Sequence, residues 1–138
     1  MTQPSFNLKV TQTGAVPIIT KLCQIAAIKE TVNHIVSWKE NIAKISPGLL
    51  IEMLVISILC GRRPLWKVHQ FWAQQDLRLL FEEEVTLEPL NDDAFGHVLD
   101  KLAEVKMEQI VNIVSLTLLR AHAIDICTIH FDTTSKAV

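Results

Sequence analysis

Cysteine is scarce in this chain: Cys23, Cys60 and Cys127 are odd in number, widely spaced, and form no CxxC or Cys/His cluster. That excludes a disulfide framework and a structural zinc site. Each thiol stands in an apolar run, so three buried, reduced cysteines and a cytoplasmic protein are expected. Charge is scarce as well, at 20% of residues against 49% hydrophobic ones, which excludes an intrinsically disordered chain. Long apolar runs are missing too. The best, Leu49 to Cys60, is interrupted by Glu52 and Ser57, well short of the ~20 apolar residues that cross a bilayer. The opening MTQPSFNLKVTQTG has neither the basic start nor the apolar stretch of a signal peptide. No internal repeat or low-complexity tract is evident.

What is present is enough for one domain and its core, since 138 residues fall within the usual domain size. The net charge of −2 conceals an asymmetry. Residues 1–75 hold eight Lys/Arg and three Asp/Glu, a net +5; residues 76–138 hold five and twelve, a net −7. Such a division points to a charged partner.

The chain opens with a short extended piece in which Phe6, Leu8 and Val10 alternate with polar residues, and Gly14 ends it. Pro17 suits a first helical turn, where its missing N–H costs nothing. Ile18, Leu22, Ile25 and Ala26 follow at helical spacing, and Lys29 falls on the solvated margin. Thr31 to Trp38 reads as a second, short helix. Ser46-Pro47 is a hydroxyl N-cap followed by proline at the first helical position. The helix from Pro47 to Cys60 is apolar nearly all round and should be the central buried one, closed by Gly61. Pro64 starts another helix to about Gln75, with Leu65, Val68 and Trp72 inward and Lys67, Gln70 and Gln74 outward. Residues 76–93 carry seven acids and one base. Asn91 then caps a helix with Asp92 and Asp93 in its first turn, where the dipole favours negative charge, and Phe95, Val98, Leu99, Leu102 and Ala103 as its apolar stripe. Met107 to His122 is a long helix with most faces apolar. Ile124 to Phe131 has the alternation of a β-strand.

Two places carry candidate chemistry. At 130–132, His-Phe-Asp sets two ionisable side chains on one face of the terminal strand, and an Asp at a strand's carboxyl end is where α/β active sites gather; Asp132-Thr133-Thr134 also reads as a simple Asx turn. At 61–67, Arg62, Arg63 and Lys67 flank a helix N-terminus, with Gln70 and Gln74 continuing the face of Arg63 and Lys67, a pattern that suits phosphate contact. Two helices joined by a tight Gly-Arg-Arg-Pro turn also have the plan of a helix-turn-helix. The competing reading places both arginines at the carboxyl end of the preceding helix, where cations favour its dipole by ~0.3–1 kcal/mol. Trp38, Trp66 and Trp72 read as core or interface anchors rather than base-stacking platforms. Glu82-Glu83-Glu84 reads as a solvated helix end, and His34, His69, His97 and His122 as ordinary helix residues.

Several segments, taken in order, resemble one family. HFDTTS at 130–135 is similar to the segment bearing the first catalytic aspartate of insertion-sequence transposases with an RNase H-like DDE domain. GAVPIITKL at 14–22, SPG at 46–48, GRRPLW at 61–66, LNDD at 90–93 and LDKL at 99–102 look like the helical domain that precedes it. The resemblance implies an N-terminal extended segment (1–13), a helical transposase domain (14–123) and the first strand of a truncated RNase H-like domain (124–138). The expected fold is mainly α, a bundle of about six helices with that short extended segment and terminal strand. In an intact relative, Asp132 would bind Mg²⁺ with a second Asp and a Glu further along, and would help activate a nucleophile against a DNA phosphate. Those two carboxylates are absent from this sequence, so the chain by itself is expected to be no enzyme and to hold no cofactor. Its implied partners are transposon-end DNA, a second copy or a full-length transposase, and no membrane. The competing expectations are a helical interaction module that pairs with or inhibits a full-length transposase, and a remnant with no function.

Overall fold

The computed structural model describes residues 10, 13–39, 44–125 and 127. Its organising element is the apolar segment after Ser46, a helix at Pro47–Leu59 in which ten of thirteen residues are buried. A helix apolar on every side can only be accommodated when neighbours cover every side. Here it is α3, the third of seven: α1 (Val16–Ile25), α2 (Ile28–Ile35), α4 (Leu65–Ala73), α5 (Leu77–Leu80), α6 (Asp92–Ala103) and α7 (Met107–Ala121) are the others. α1, α2, α4 and α6 all pack on α3, α4 also meets α6, and α7 lies against α1 and α2. The mainly helical expectation holds, with the four-residue α5 added to the six longer helices and no strand among the described residues.

Local chemistry explains most of the boundaries. The Ser46 hydroxyl accepts the Leu49 N–H at 3.2 Å, and Pro47 stands at the head of α3. Asn91 accepts the Ala94 N–H at 2.8 Å and starts α6; Asp76 does the same for Leu79 at the start of α5. Asn33 fastens α2 to the head of α3, accepting from the Gly48 N–H at 2.7 Å and donating to Ser46 Oγ at 3.1 Å. The two helices approach so closely that a Cβ on Gly48 would collide with the Lys29 carbonyl oxygen.

The start of α2 and the buried face of α1 differ from those expected. α2 begins at Ile28 rather than Thr31, because Ala27 adopts a left-handed conformation (φ 53°) that breaks α1 from α2 without the usual glycine. On α1 the buried side chains are Val16, Thr20 and Cys23, whereas Ile18 and Leu22 are exposed. At the end of α7, Ala123 is left-handed, its N–H bonds Arg120 O, and the Ile124 N–H bonds Leu119 O at 2.9 Å. That is a Schellman cap, in which the Ile124 N–H closes the helix end. The remainder of the expected strand, apart from Asp125 and Cys127, lies outside the described residues, as does the N-terminal extended segment apart from Val10 and Thr13.

The core runs from Val16 and Cys23 through Met53 and Ile56 to Phe95, Val98 and Ile110. Trp72 anchors one side, with the Phe71 ring edge-on at 4.9 Å and the Phe81 ring tilted at 5.7 Å. Full burial of an aliphatic side chain contributes about 1.5–3 kcal/mol, and α3 supplies six of the twenty core residues, more than any other helix. Of the cysteines only Cys23 is buried; Cys60 is half-buried and Cys127 exposed, which corrects the expectation of three buried thiols. Burial pushes the Cys23 thiol up to about 11, with the Glu52 charge adding to it. Among the described residues, no helix is long and apolar enough to cross a membrane.

Candidate nucleic-acid interface

The turn between α3 and α4 is built by three residues with different duties. Gly61 takes φ 135°, a region that side-chain-bearing residues rarely adopt, and reverses the chain. Arg63 folds back over the end of α3: Nη1 donates to the Ser57 carbonyl at 3.4 Å, and the guanidinium carbon lies 4.3 Å above the Phe71 ring. Pro64 is the N-cap of α4 in an extended conformation, so the helix starts one residue later than expected and ends at Ala73. The division along α4 is as expected: Val68 and Trp72 are fully buried, Leu65 half-buried, and Lys67, Gln70 and Gln74 exposed.

A shallow cleft of about 420 Å³ results, lined by Arg62, Arg63, Lys67, Gln70, Phe71 and Gln74, together with Gly61 and Pro64. Its lining carries three cations, two side-chain amides and no carboxylate. No side chain caps α4, and no acid stands in its first turn, so the positive end of the helix dipole opens beside the cleft. The structure thus brings together Arg62, Arg63 and Lys67. It also separates their roles. Arg63 closes α3, as the dipole reading of the arginines expected, whereas Arg62 is exposed and Lys67 rests its ammonium 4.7 Å from the Trp66 ring. Among the described residues neither Arg62 nor Lys67 takes part in an ion pair. Trp66 is 60% exposed on the same turn of α4, Trp38 is half-buried and Trp72 is core. The reading of all three tryptophans as anchors therefore holds best for Trp72.

Two other cations of the basic half, Lys29 and Lys44, are taken up by acids of the other half. Lys29 Nζ lies 2.8 Å from Glu83 and 4.0 Å from Glu30, and Lys44 lies 3.2 Å from Glu88. Glu84 meets Arg78 at 3.8 Å. Glu82 to Glu84 thus occupy the loop just past α5, with two of the three folded against cations.

Asp132 lies outside the described residues. Among the described ones, no three His, Cys, Asp or Glu groups converge as metal ligands, and His34, His69, His97 and His122 are all exposed.

One residue with functional chemistry was missed by the sequence reading. Glu52 is 2% exposed in the middle of α3, and its Oε1 has no hydrogen-bond partner. Burial raises its carboxyl to about 7, helped by the neighbouring Glu30 charge and opposed by Lys29. The available signal was its position: an acid within a helix apolar on all sides has no solvated face to occupy.

A family model, described as a domain of unknown function (DUF4277), matches residues 8–116. No curated protein and no solved structure matches the chain.

Proposed function

The chain belongs to this DUF4277 family, and from that premise we propose that it is the amino-terminal helical part of a DDE transposase, assisting the binding of transposon-end DNA. The carrying observation is the carboxylate-free cleft at the head of α4, where Arg62 and Lys67 form no ion pair among the described residues and lie beside an uncapped helix N-terminus. Guanidinium and ammonium groups with free N–H donors suit phosphate oxygens, and Gln70 and Gln74 extend the same face with neutral donors. The ordered resemblance of GAVPIITKL, SPG, GRRPLW, LNDD, LDKL and HFDTTS to transposases supports the same reading. Arg62 and Lys67 contact DNA directly in this scheme, and Arg63 positions the turn that presents them. Asp132 would hold Mg²⁺ only alongside the second Asp and the Glu that the resemblance places further along. No chemical step is therefore assigned to this chain, which we take to be catalytically incomplete.

Gel-shift titration tests the proposal. A duplex carrying the element's terminal inverted repeat should bind more tightly than a scrambled duplex. Arg62→Ala combined with Lys67→Ala should weaken that binding about tenfold or more without lowering the melting temperature. Equal affinity for any duplex, or none at all, sinks the role in end recognition.

A second reading is an interaction module that pairs with a full-length transposase. It is favoured by α7, which buries only Ile110 and leaves Met107, Val111, Ile113 and Leu116 exposed. Apolar surface of this kind marks contact sites more often than it marks solvent-facing helices. Co-purification with an intact homologue, lost in a Val111→Glu/Leu116→Glu variant, separates this reading from the first.

A further inference from the structure

A cavity of about 230 Å³ opens above Glu52, on a part of the molecule that shares no residue with the Arg62–Gln74 cleft. Its walls come from three elements: Lys21 on α1, Lys29 and Glu30 on α2, and Glu82 and Glu83 in the loop after α5. Phe81 lines it as well. Four carboxyl groups thus face two ammonium groups, and one of those, Lys29, is already bound to Glu83 at 2.8 Å. At the floor, Glu52 is almost wholly buried and presents an oxygen with no donor. Buried polar atoms in folded proteins nearly always have a partner. An acceptor left without one, inside a cavity with surplus negative charge, is arranged for a donor that comes from outside.

We propose that this cavity is a binding site for an organic cation, a guanidinium or primary ammonium group, with Glu52 as the acceptor at its floor. Anions are excluded by the four carboxyl groups. A divalent metal ion is disfavoured because no three carboxylates converge at ligand spacing among the described residues. An organic cation takes its acceptors singly, through N–H donors directed at separated oxygens. The group can be a free small cation or the side chain of an arginine or lysine on a partner polypeptide, and the chemistry of recognition is the same for both.

The site has a built-in dependence on pH. Burial holds the Glu52 proton up to about 7, and a bound cation favours the ionised form, so binding releases that proton to solvent. The charged groups acting on Glu52 are Lys29 and Glu30 from α2 and Glu83 from the loop, and Glu52 in turn acts on the neighbouring Cys23 thiol of α1. Affinity should therefore rise with pH through neutrality and level off above it.

The experiment is carbon-13 NMR of the full chain with labelled glutamate side chains, titrated with n-butylguanidinium, with a blocked Gly-Arg-Gly peptide, and with tetramethylammonium, which carries charge but no N–H donor. Butylguanidinium should shift the Glu52 carboxyl resonance and lower its titration midpoint by about one pH unit or more. Tetramethylammonium should do neither. Glu52→Gln, which keeps the side chain's shape, should bind butylguanidinium at least about tenfold more weakly. The wild-type resonance reports independently of whether that variant folds. A peptide that binds more tightly than butylguanidinium assigns the site to a partner's side chain, and one that binds no more tightly assigns it to a free cation. A Glu52 resonance unmoved by ~10 mM butylguanidinium or peptide, an equal response to tetramethylammonium, or equal binding by Glu52→Gln overturns the proposal.

Discussion

Glu52 puts an ionisable group into a helix whose other buried residues are, Ser57 apart, apolar. Its proton is lost near 4.5 in an ordinary setting and near 7 in the fold. Between those values the native state holds a proton that the unfolded chain has given up. Stability must therefore fall as pH rises across that window, and the effect of this group is complete above about 7. A displacement of this size corresponds to a loss on the order of 3 kcal/mol. Urea unfolding at about pH 5 and about pH 8 should show that slope in the wild type and not in Glu52→Gln, which should be the more stable protein at the higher pH. Parallel slopes in the two proteins would mean that Glu52 is solvated. Groups that destabilise the fold around them are concentrated at functional sites. The sequence showed Glu52 only as an interruption in an apolar run. Its burial became visible once α1, α2, α4 and α6 were placed around α3.

Between elements, the contact of α2 with the head of α3 depends on Ser46, Pro47 and Gly48 acting together. The cap and the proline are legible in the sequence, because an N-cap hydroxyl and a proline at the first position act on the backbone beside them. The role of Gly48 is not legible, since it arises from the Lys29 carbonyl, nineteen residues earlier in the chain. Helix propensity alone says that Gly48→Ala should stabilise α3 by ~1 kcal/mol. The collision reverses the sign. The variant should lose about 1–3 kcal/mol, read from the shift in its urea midpoint, and a gain would show that the helices can move apart at no cost. The break between α1 and α2 was hidden for a related reason. Ala27 and Ala123 both take left-handed caps that sequence patterns assign to glycine or asparagine, so an alanine gave no punctuation. α7 differs in kind. Its periodicity marked it as a helix, but not which of its apolar faces would be covered.

At the scale of the whole molecule, electrostatics decide how DNA could be met. A net charge of −2 offers no general attraction, and acids from the second half neutralise Lys29 and Lys44 of the first. Arg62 and Lys67 form no ion pair among the described residues, with Arg63 half-buried beside them. Two or three phosphate contacts imply a slope of log affinity against log salt of about −2 to −3, at −0.9 for each contact. Binding isotherms across a series of salt concentrations measure it. A slope steeper than about −6 would place the DNA on a larger surface than this cleft.

Sequence by itself determined the helical class, the capped starts of α3 and α6, the burial of α3 and the outward set on α4, because each follows from neighbouring residues or from a repeat of 3.6. It also brought Arg62, Arg63 and Lys67 together, since they lie within one turn and the helix after it. Tertiary structure decided which of them stays free: Arg63 turns onto Phe71 and Ser57, whereas Arg62 and Lys67 meet no acid among the described residues. It decided, too, that an acid in mid-helix would lie under a cavity ringed by Glu30, Glu82 and Glu83. Charge pairing and burial depend on groups far apart in the chain, and only their packing in space assigns one to another.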